Sequence, residues 1–114
     1  MVIGTLRLTP LPSRRREVLE ILRFIEGPVR AQPGCNAYEI YEGQTPERAV
    51  LLVERWDSEE TLATHLRSEA YGRILGAIEL SGAQPDIRFE HVSSSEGMEF
   101  IERARNRGGP PAGR

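Results

Sequence analysis

The segment VLLVERWDSEETLATHL, residues 50–66, contains a four-residue apolar run, the only tryptophan of the chain and one of its two histidines. The apolar run belongs to a strand predicted over residues 48–56, because aliphatic and β-branched side chains favour extended backbone. Asp57 and Glu60 then have the N-cap to N3 spacing of a capping box. The segment therefore predicts a strand that leads directly into a helix carrying His65.

The residues before this segment predict one strand and one helix. Residues 2–9 are rich in β-branched and aliphatic types and are followed by two prolines, which is typical of a strand end. Ser13 is the expected N-cap of the helix, and Pro28 should bend it near its C-terminal end. The apolar residues of this helix recur at helical spacing on one stripe: Val18, Ile21, Leu22, Ile25 and Val29.

Two adjacent strands and a second helix complete the core pattern. Residues 36–42 and 48–56 are joined by GQTPE, which has the glycine and proline of a hairpin loop. The second helix is expected to run to about Leu80, with a break near Ser68 where its apolar stripe changes phase. A last strand is predicted at 86–92. The order βαββαβ predicts an α+β, ferredoxin-like fold, with a four-stranded antiparallel sheet and two helices on one face.

The chain is expected to form one domain, because 114 residues are enough for one core and too few for two. We assign this domain to residues 1–93. Residues 94–106 are predicted to contain a short C-terminal helix, and residues 107–114 read as a flexible tail.

Composition excludes several classes of function. The net charge of −2 predicts no nucleic-acid partner, and the cluster Arg14–Arg16 is followed by acidic residues, as in a solvated first helical turn. The single Cys35 excludes an internal disulfide and leaves too few thiols for a structural zinc site, which favours a reducing cytoplasm. We find no signal peptide and no apolar run long enough to cross a membrane.

The apolar run itself predicts a homodimer. Two helices cover only one face of a four-stranded sheet, yet residues 50–53 place apolar side chains on both faces of their strand. A second copy that packs its own sheet against the uncovered face would bury these side chains and leave space inside for a ligand. A monomer with a ligand cleft is the alternative.

Two stretches carry a family resemblance: VRAQPGCNAYEIYE, residues 29–42, and VLLVERWDSEETLATHLRSEAYGRIL, residues 50–75. With the PGC turn, the E-x-W strand end and the A-x-H-L-x-S segment, the chain resembles the antibiotic biosynthesis monooxygenase (ABM) domain family over residues 2–93. The resemblance implies a dimeric α/β barrel. The family includes quinol and anthrone monooxygenases, haem-degrading enzymes and an isomerase that acts on a sugar phosphate.

The resemblance also separates the branches of the family. Haem-degrading members place tryptophan where His65 stands and their haem-ligating histidine where Leu75 stands, so no haem is expected. Anthrone-type members have tryptophan at the His65 position and asparagine at that of Thr61. Quinol-oxidising members share a histidine matching His65, but their second histidine falls at Ala70. The chain is thus most similar to the quinol type, with one departure.

His65 is the candidate catalytic base, because an imidazole accepts a proton near neutral pH. The alternative is a histidine that packs or meets solvent. Glu54, Trp56 and Leu52 share one face of their strand and are candidates for substrate binding. Glu54 is expected to pair with Arg7 or Arg88 on another strand. Trp56 is placed at the rim of the pocket, although tryptophan is more often a core or interface anchor.

Tyr71 and His91 complete the candidate site. The break near Ser68 can bring Tyr71 to His65, where its phenol would hold a phenolic ligand; the alternative is a core tyrosine. His91 could replace the histidine absent at Ala70. Cys35 is expected to pack at its turn, and two distant histidines make no metal site.

The resemblance and these residues predict a cofactor-independent monooxygenase. Its substrate would be a phenolic, hydroquinone or polyketide-like aromatic compound, oxidised by O2 within each subunit of a homodimer. Two alternatives stay open: a dimeric ligand-binding protein without catalysis, and an isomerase of a small carbonyl substrate on the same fold.

Overall fold

A computed structural model describes residues 1–44, 46–82 and 84–108, with side chains up to Asn106 in the last range. Four strands alternate with helices in the predicted order, and each long helical segment is divided in two. The elements are β1 Val2–Leu8, α1 Arg15–Phe24, α2 Glu26–Arg30, β2 Cys35–Glu42, β3 Val50–Trp56, α3 Glu59–Leu66, α4 Glu69–Ser81, β4 Asp86–His91 and α5 Met98–Gly108.

The strands form one antiparallel sheet in the order β2-β3-β1-β4. This arrangement confirms the ferredoxin-like βαββαβ prediction. Of the rows of side chains that the register places on the face toward the helices, three cross all four strands. Read from β2 to β4, the rows are Cys35-Trp56-Val2-His91, Tyr38-Glu54-Gly4-Phe89 and Ile40-Leu52-Leu6-Ile87.

The core lies between these rows and the helices. α1 and α2 contribute the predicted stripe except that Ile21 is only partly buried, while α3 and α4 add Leu62, Ile74 and Ala77. The period of the apolar stripe explains why these faces turn inward. β2, β3 and β1 are covered in this way, whereas the side chains of the edge strand β4 are exposed.

The break in the first helical segment falls at Ile25, three residues before Pro28. Pro28 therefore lies in the first turn of α2, where a missing backbone N–H leaves no helical hydrogen bond unmade. The predicted N-cap is wrong: Arg14 occupies that position and makes no side-chain cap, while its backbone N–H closes a turn to the Leu11 carbonyl at 2.8 Å.

The second helical segment begins one residue later than predicted. The capping box consists of Ser58 and Thr61, each accepting a hydrogen bond from the other's backbone N–H at 3.2 Å. Asp57 instead accepts from the Asn36 amide at 2.7 Å, so it ties the end of β3 to β2. The predicted break is confirmed, since Ser68 caps α4 by accepting from the Tyr71 N–H.

Arg15 corrects the expectation of a solvated arginine cluster. Its side chain is only 9% exposed, forms an ion pair with Glu42 at 3.0 Å and donates to the Arg48 carbonyl. The contact ties α1 to the end of β2. Arg14 and Arg16 remain on the surface, beside Glu17 and Glu20.

The second face of the sheet is partly exposed in the single chain. Its centre consists of Ile3, Thr5, Leu51 and Val53, all half-buried, and Tyr41 at its margin is 51% exposed. These residues alternate with those of the core, as the period of a strand requires. An apolar patch with a charged margin is thus available on this side.

α5 extends the predicted C-terminal helix through Gly108, so two residues of the predicted tail are helical; the rest of that tail, 109–114, lies outside the described residues. Met98, Phe100 and Ile101 are exposed on α5. In the described part of the chain, no helix is long and apolar enough to cross a lipid bilayer.

Candidate active site

The middle row of the sheet contains the candidate site. It reads Tyr38, Glu54, Gly4 and Phe89, because Gly4 on the central strand β1 pairs with Glu54 on one side and with Phe89 on the other. A glycine has no side chain, so the register leaves a gap beside a carboxylate on the face toward the helices. Glycine within a strand often marks such a close approach.

Glu54 is buried and held by two neighbours. The indole Nε1 of Trp56 donates to Oε1 at 3.0 Å, and His65 Nε2 lies 3.1 and 3.2 Å from the two carboxylate oxygens. Glu54 is 4% exposed and His65 0%. Burying an ionisable pair this deeply requires such complementary partners, because neither group retains water.

The second nitrogen of His65 contacts Gln32, whose Oε1 lies 2.9 Å from Nδ1. With the amide oxygen as acceptor, Nδ1 carries a proton. Nε2 then faces the Glu54 carboxyl group at hydrogen-bond distance.

Two local structures bring these residues together. The turn before β2 has Gly34 at φ +84°, and a Cβ there would lie 2.6 Å from Thr61, so only glycine lets this turn pack on the first turn of α3. The Asp57 N–H also donates to the Gly34 carbonyl at 2.8 Å. This packing places Gln32 beside His65, six residues into α3.

Aromatic rings fix the orientation of the imidazole. The Trp56 ring stacks on His65 with centroids 4.5 Å apart and an interplanar angle of 24°. Tyr71 meets the same ring edge-on at 5.3 Å and 80°. The predicted approach of Tyr71 across the helix break is thus present. Burial, and then the charge of Glu54, raise the pKa of the Tyr71 phenol above its usual value of 10.0.

An apolar cleft opens between the sheet and α4 on the side of β4. Its walls include Gly4, Leu52, Glu54, Tyr71, Ile87 and Phe89. The cleft has a volume of about 20 Å³. The Glu54 carboxyl is the acidic group of its wall.

The predicted site residues divide into three groups. Glu54, Leu52 and Tyr71 line the cleft. His65 and Trp56 lie behind Glu54, both fully buried, so Trp56 is not at the rim. His91 is outside the cleft at the edge of the sheet, 63% exposed and 4.0 Å from Glu59.

The predicted partners of Glu54 are wrong. Arg7 and Arg88 occupy strand positions that face the second side of the sheet, and they contact Glu47 at 3.9 Å and Asp86 at 3.4 Å. Glu54 faces the helices instead. The alternation of β1, with Leu6 and Leu8 facing the core, already indicated that Arg7 points the other way.

Sequence reasoning missed Gln32, Gly4 and Phe89. A glycine inside a predicted strand was the available signal for Gly4. The place of Phe89 in the site depends only on the strand register. That of Gln32 depends on the packing of a turn against a helix that is distant in sequence. Cys35 is half-buried at its turn, where burial raises the pKa of its thiol. Among the described residues, no cluster of histidine, cysteine or acidic side chains is placed to hold a metal.

Comparison with known proteins adds family information to this geometry. A model of the antibiotic biosynthesis monooxygenase family matches residues 1–76. A Deinococcus radiodurans protein, provisionally named an antibiotic biosynthesis monooxygenase, superposes with a TM-score of 0.77 at 20% identity, over 86% of this chain and 98% of its own. A Mycobacterium tuberculosis protein gives 0.75 at 25% identity, over 84% and 98%.

A relative found by sequence matches part of the chain. An uncharacterised Synechocystis protein is 26% identical over 68 residues, which are 60% of this chain and 45% of the relative. The match therefore spans less than half of that longer protein. The structural likeness, in contrast, includes nearly all of each similar structure, so the fold is shared as a whole.

Proposed function

The chain belongs to the antibiotic biosynthesis monooxygenase family, and we propose that it is a cofactor-independent monooxygenase for a phenolic, hydroquinone or polyketide-like aromatic substrate. A monooxygenase-like function is the general expectation for the family. The observation that carries the finer proposal is the buried Glu54 and His65 pair at the wall of an apolar cleft. Such a site can remove a proton from a phenol in surroundings that exclude water.

Glu54 is the group that receives the substrate proton in this proposal. His65 has no exposed surface and both its ring nitrogens are engaged, whereas Glu54 lines the cleft. When the proton reaches Glu54, His65 carries the positive charge behind it. This positive charge stabilises the phenolate, which lies on the other side of the Glu54 carboxylic acid. His65 thus positions Glu54 and balances the negative charge of the phenolate.

The reaction that follows is balanced without another oxidant. The phenolate gives one electron to O2, and the phenoxyl radical and superoxide combine at a ring carbon to form a peroxide. Loss of the proton at that carbon forms the carbonyl and cleaves the O–O bond. One oxygen atom enters the quinone and the other leaves as water, using a proton returned from the pair. The substrate loses four electrons and O2 gains four.

Tyr71 is proposed to orient the substrate. It lines the cleft with Glu54, and its raised pKa leaves the phenol protonated at neutral pH. A phenol that stays protonated can donate a hydrogen bond to a developing oxyanion. Leu52 supplies the apolar wall, while Trp56 holds Glu54 from behind through its indole N–H.

We further propose that two copies pair through the second face of the sheet. Ile3, Leu51 and Val53 form a half-buried apolar centre there, and a second sheet would remove it from water. An isologous pair places this surface against itself. A cytoplasmic location is also proposed, on the ground of a single free cysteine.

Oxygen uptake tests the proposed function. Purified, metal-chelated protein is given a panel of hydroquinones and anthrones under air, and uptake is corrected for autoxidation. The variant Glu54→Gln keeps the shape of the side chain and can still accept from Trp56, but it cannot take a proton. Glu20→Gln is the matched control, because Glu20 is an exposed carboxylate on α1, away from the cleft and from the second face of the sheet.

We expect uptake that depends on the enzyme, that falls by about 100-fold or more in Glu54→Gln, as for loss of a general base, and that is unchanged in Glu20→Gln. Uptake no faster than autoxidation across the panel would contradict the oxygenase. Conversion of a carbonyl substrate without change in mass would indicate the isomerase, and binding without conversion would indicate the ligand-binding protein.

A further inference from the structure

Phe89 lies over the gap that Gly4 leaves in the middle row. A Cβ built on Gly4 would be 3.2 Å from Phe89 Cε1 and 3.3 Å from Cδ1. These distances are shorter than ordinary contact between carbon atoms. The phenyl ring therefore rests on the glycine backbone itself, and a side chain at position 4 would have to displace it by a few tenths of an ångström.

Phe89 is also free to leave this place. It belongs to the edge strand β4, its side chain is 39% exposed, and the helices do not cover its strand. Exposed aromatic side chains change rotamer on the nanosecond scale. The ring can thus turn toward solvent without disturbing the sheet or the core.

The cleft is too narrow for a ring while Phe89 fills it. Its volume of about 20 Å³ is about the room that one water molecule needs. Removing the phenyl ring from above Gly4 would leave a flat space bounded by Glu54 on one side and Ile87 beside it. The vacated space has the thickness of an aromatic ring, because such a ring occupies it now.

We infer that the gap over Gly4 is the binding slot for one planar ring of the ligand, and that Phe89 occupies the slot until the ligand displaces it. The identification of that ligand as the substrate rests on the proposed function. The slot favours flat aromatic rings over puckered aliphatic ones, since the flat ring of Phe89 occupies it in the structure, in close contact with Gly4. A hydroxyl on the ring edge toward β3 meets the Glu54 carboxyl.

Binding under nitrogen tests the slot independently of oxygen chemistry. The probe is 2-naphthol, a planar phenol whose fluorescence reports binding, and saturated decahydro-2-naphthol is the puckered competitor. The variants are Phe89→Ala, Gly4→Ala and the double substitution. Phe24→Ala and Gly76→Ala are matched controls, because Phe24 is exposed on α1 and a Cβ at Gly76 meets nothing within 4 Å.

Phe89→Ala removes the closed state, so 2-naphthol should bind at least about fivefold more tightly, as expected when the competent state becomes fully populated. Gly4→Ala places a methyl group in the slot and should weaken binding by about tenfold or more, the effect of a steric change worth about 1.4 kcal/mol. In the double variant the phenyl ring is absent, but the alanine methyl group still occupies the slot. The double variant should therefore bind 2-naphthol as weakly as Gly4→Ala does. The controls should match the wild type.

Three results would overturn the slot: unchanged or weaker binding in Phe89→Ala, wild-type binding in either variant with alanine at position 4, or equal competition by the saturated alcohol. Absence of 2-naphthol binding in every variant would do the same. Circular dichroism of each variant establishes that it is folded. If the slot binds as expected but no oxygen is consumed, the proposed oxygenase fails and the ring-binding site stands.

Discussion

Glu54 acquires its role from its neighbours, since an isolated glutamate in a strand predicts only a solvent-facing charge. Its register places it opposite Gly4, and the histidine of the next helix folds back onto its carboxylate. The sequence predicted His65 as the important titratable residue and placed Glu54 in the site. Which of the two groups lies nearer to the ligand depends on how deeply each side chain is buried, and no local sequence pattern encodes this.

Tyr38, which belongs to the middle row, offers a test of one buried hydrogen bond. Its buried hydroxyl donates to the Leu22 carbonyl at 2.7 Å, which links β2 to α1. Tyr38→Phe leaves that carbonyl without its donor and should lower the free energy of unfolding by about 1–2 kcal/mol. Urea denaturation measures the change.

Tyr41→Phe is the matched control for this substitution. The Tyr41 hydroxyl bonds to Glu39 on the exposed second face, so its loss should change stability by less than about 0.5 kcal/mol. Equal effects of the two substitutions would mean that the buried hydrogen bond contributes nothing particular to the fold.

At the scale of elements, the sequence predicted all four strands of the sheet and its topology. Hydrophobic alternation and helical spacing are local, and they survive in the structure because tertiary packing agrees with them. The starts of the helices were less predictable. Asp57 and Ser58 are both residue types that favour the N-cap position. Ser58 caps α3, because the Asp57 carboxylate accepts a hydrogen bond from Asn36 on the neighbouring strand.

Arg15 connects two elements through charge, and this contact should appear in the acid stability of the protein. Hydrogen bonds and charge from Arg15, and then from Arg23, lower the pKa of Glu42 below its usual 4.5. A carboxyl whose pKa is lowered by folding stabilises the protein above its unfolded pKa, and the stabilisation is lost as pH falls through the folded pKa.

Glu42→Gln should therefore be less stable than the wild type at pH 7, and the difference should disappear as pH falls below the usual pKa of about 4.5. Urea denaturation across this range measures it. Glu20→Gln is the control on the solvent side of α1, where the carboxylate is 3.9 Å from Arg16. A difference for Glu42→Gln that stays constant into strong acid would contradict the ion pair.

For the whole molecule, the uncovered sheet face is the feature with the largest consequence. The apolar run of residues 50–53 already predicted two buried faces, and the single chain covers one. Leu51 and Val53 therefore indicate where a second copy would pack.

Light scattering at micromolar concentration tests the pairing. The expected mass is twice the 12.8 kDa of one chain. Val53→Asp places a charge at the centre of the second face and should produce monomers, because an unpaired charge is costly to bury. Leu11→Asp, at an exposed residue before α1, should leave the mass unchanged. A monomeric wild-type protein would contradict the pairing.

The central claim is that Glu54, backed by His65, takes a proton from a phenol in the cleft. The most direct measurement is the absorption spectrum of bound 4-nitrophenol, which distinguishes the phenol from the phenolate, at a pH where the free compound is mainly protonated. The account predicts that the wild-type protein binds the phenolate and that Glu54→Gln binds the neutral phenol. Neutral phenol bound to the wild type, or phenolate bound equally by both proteins, would contradict it.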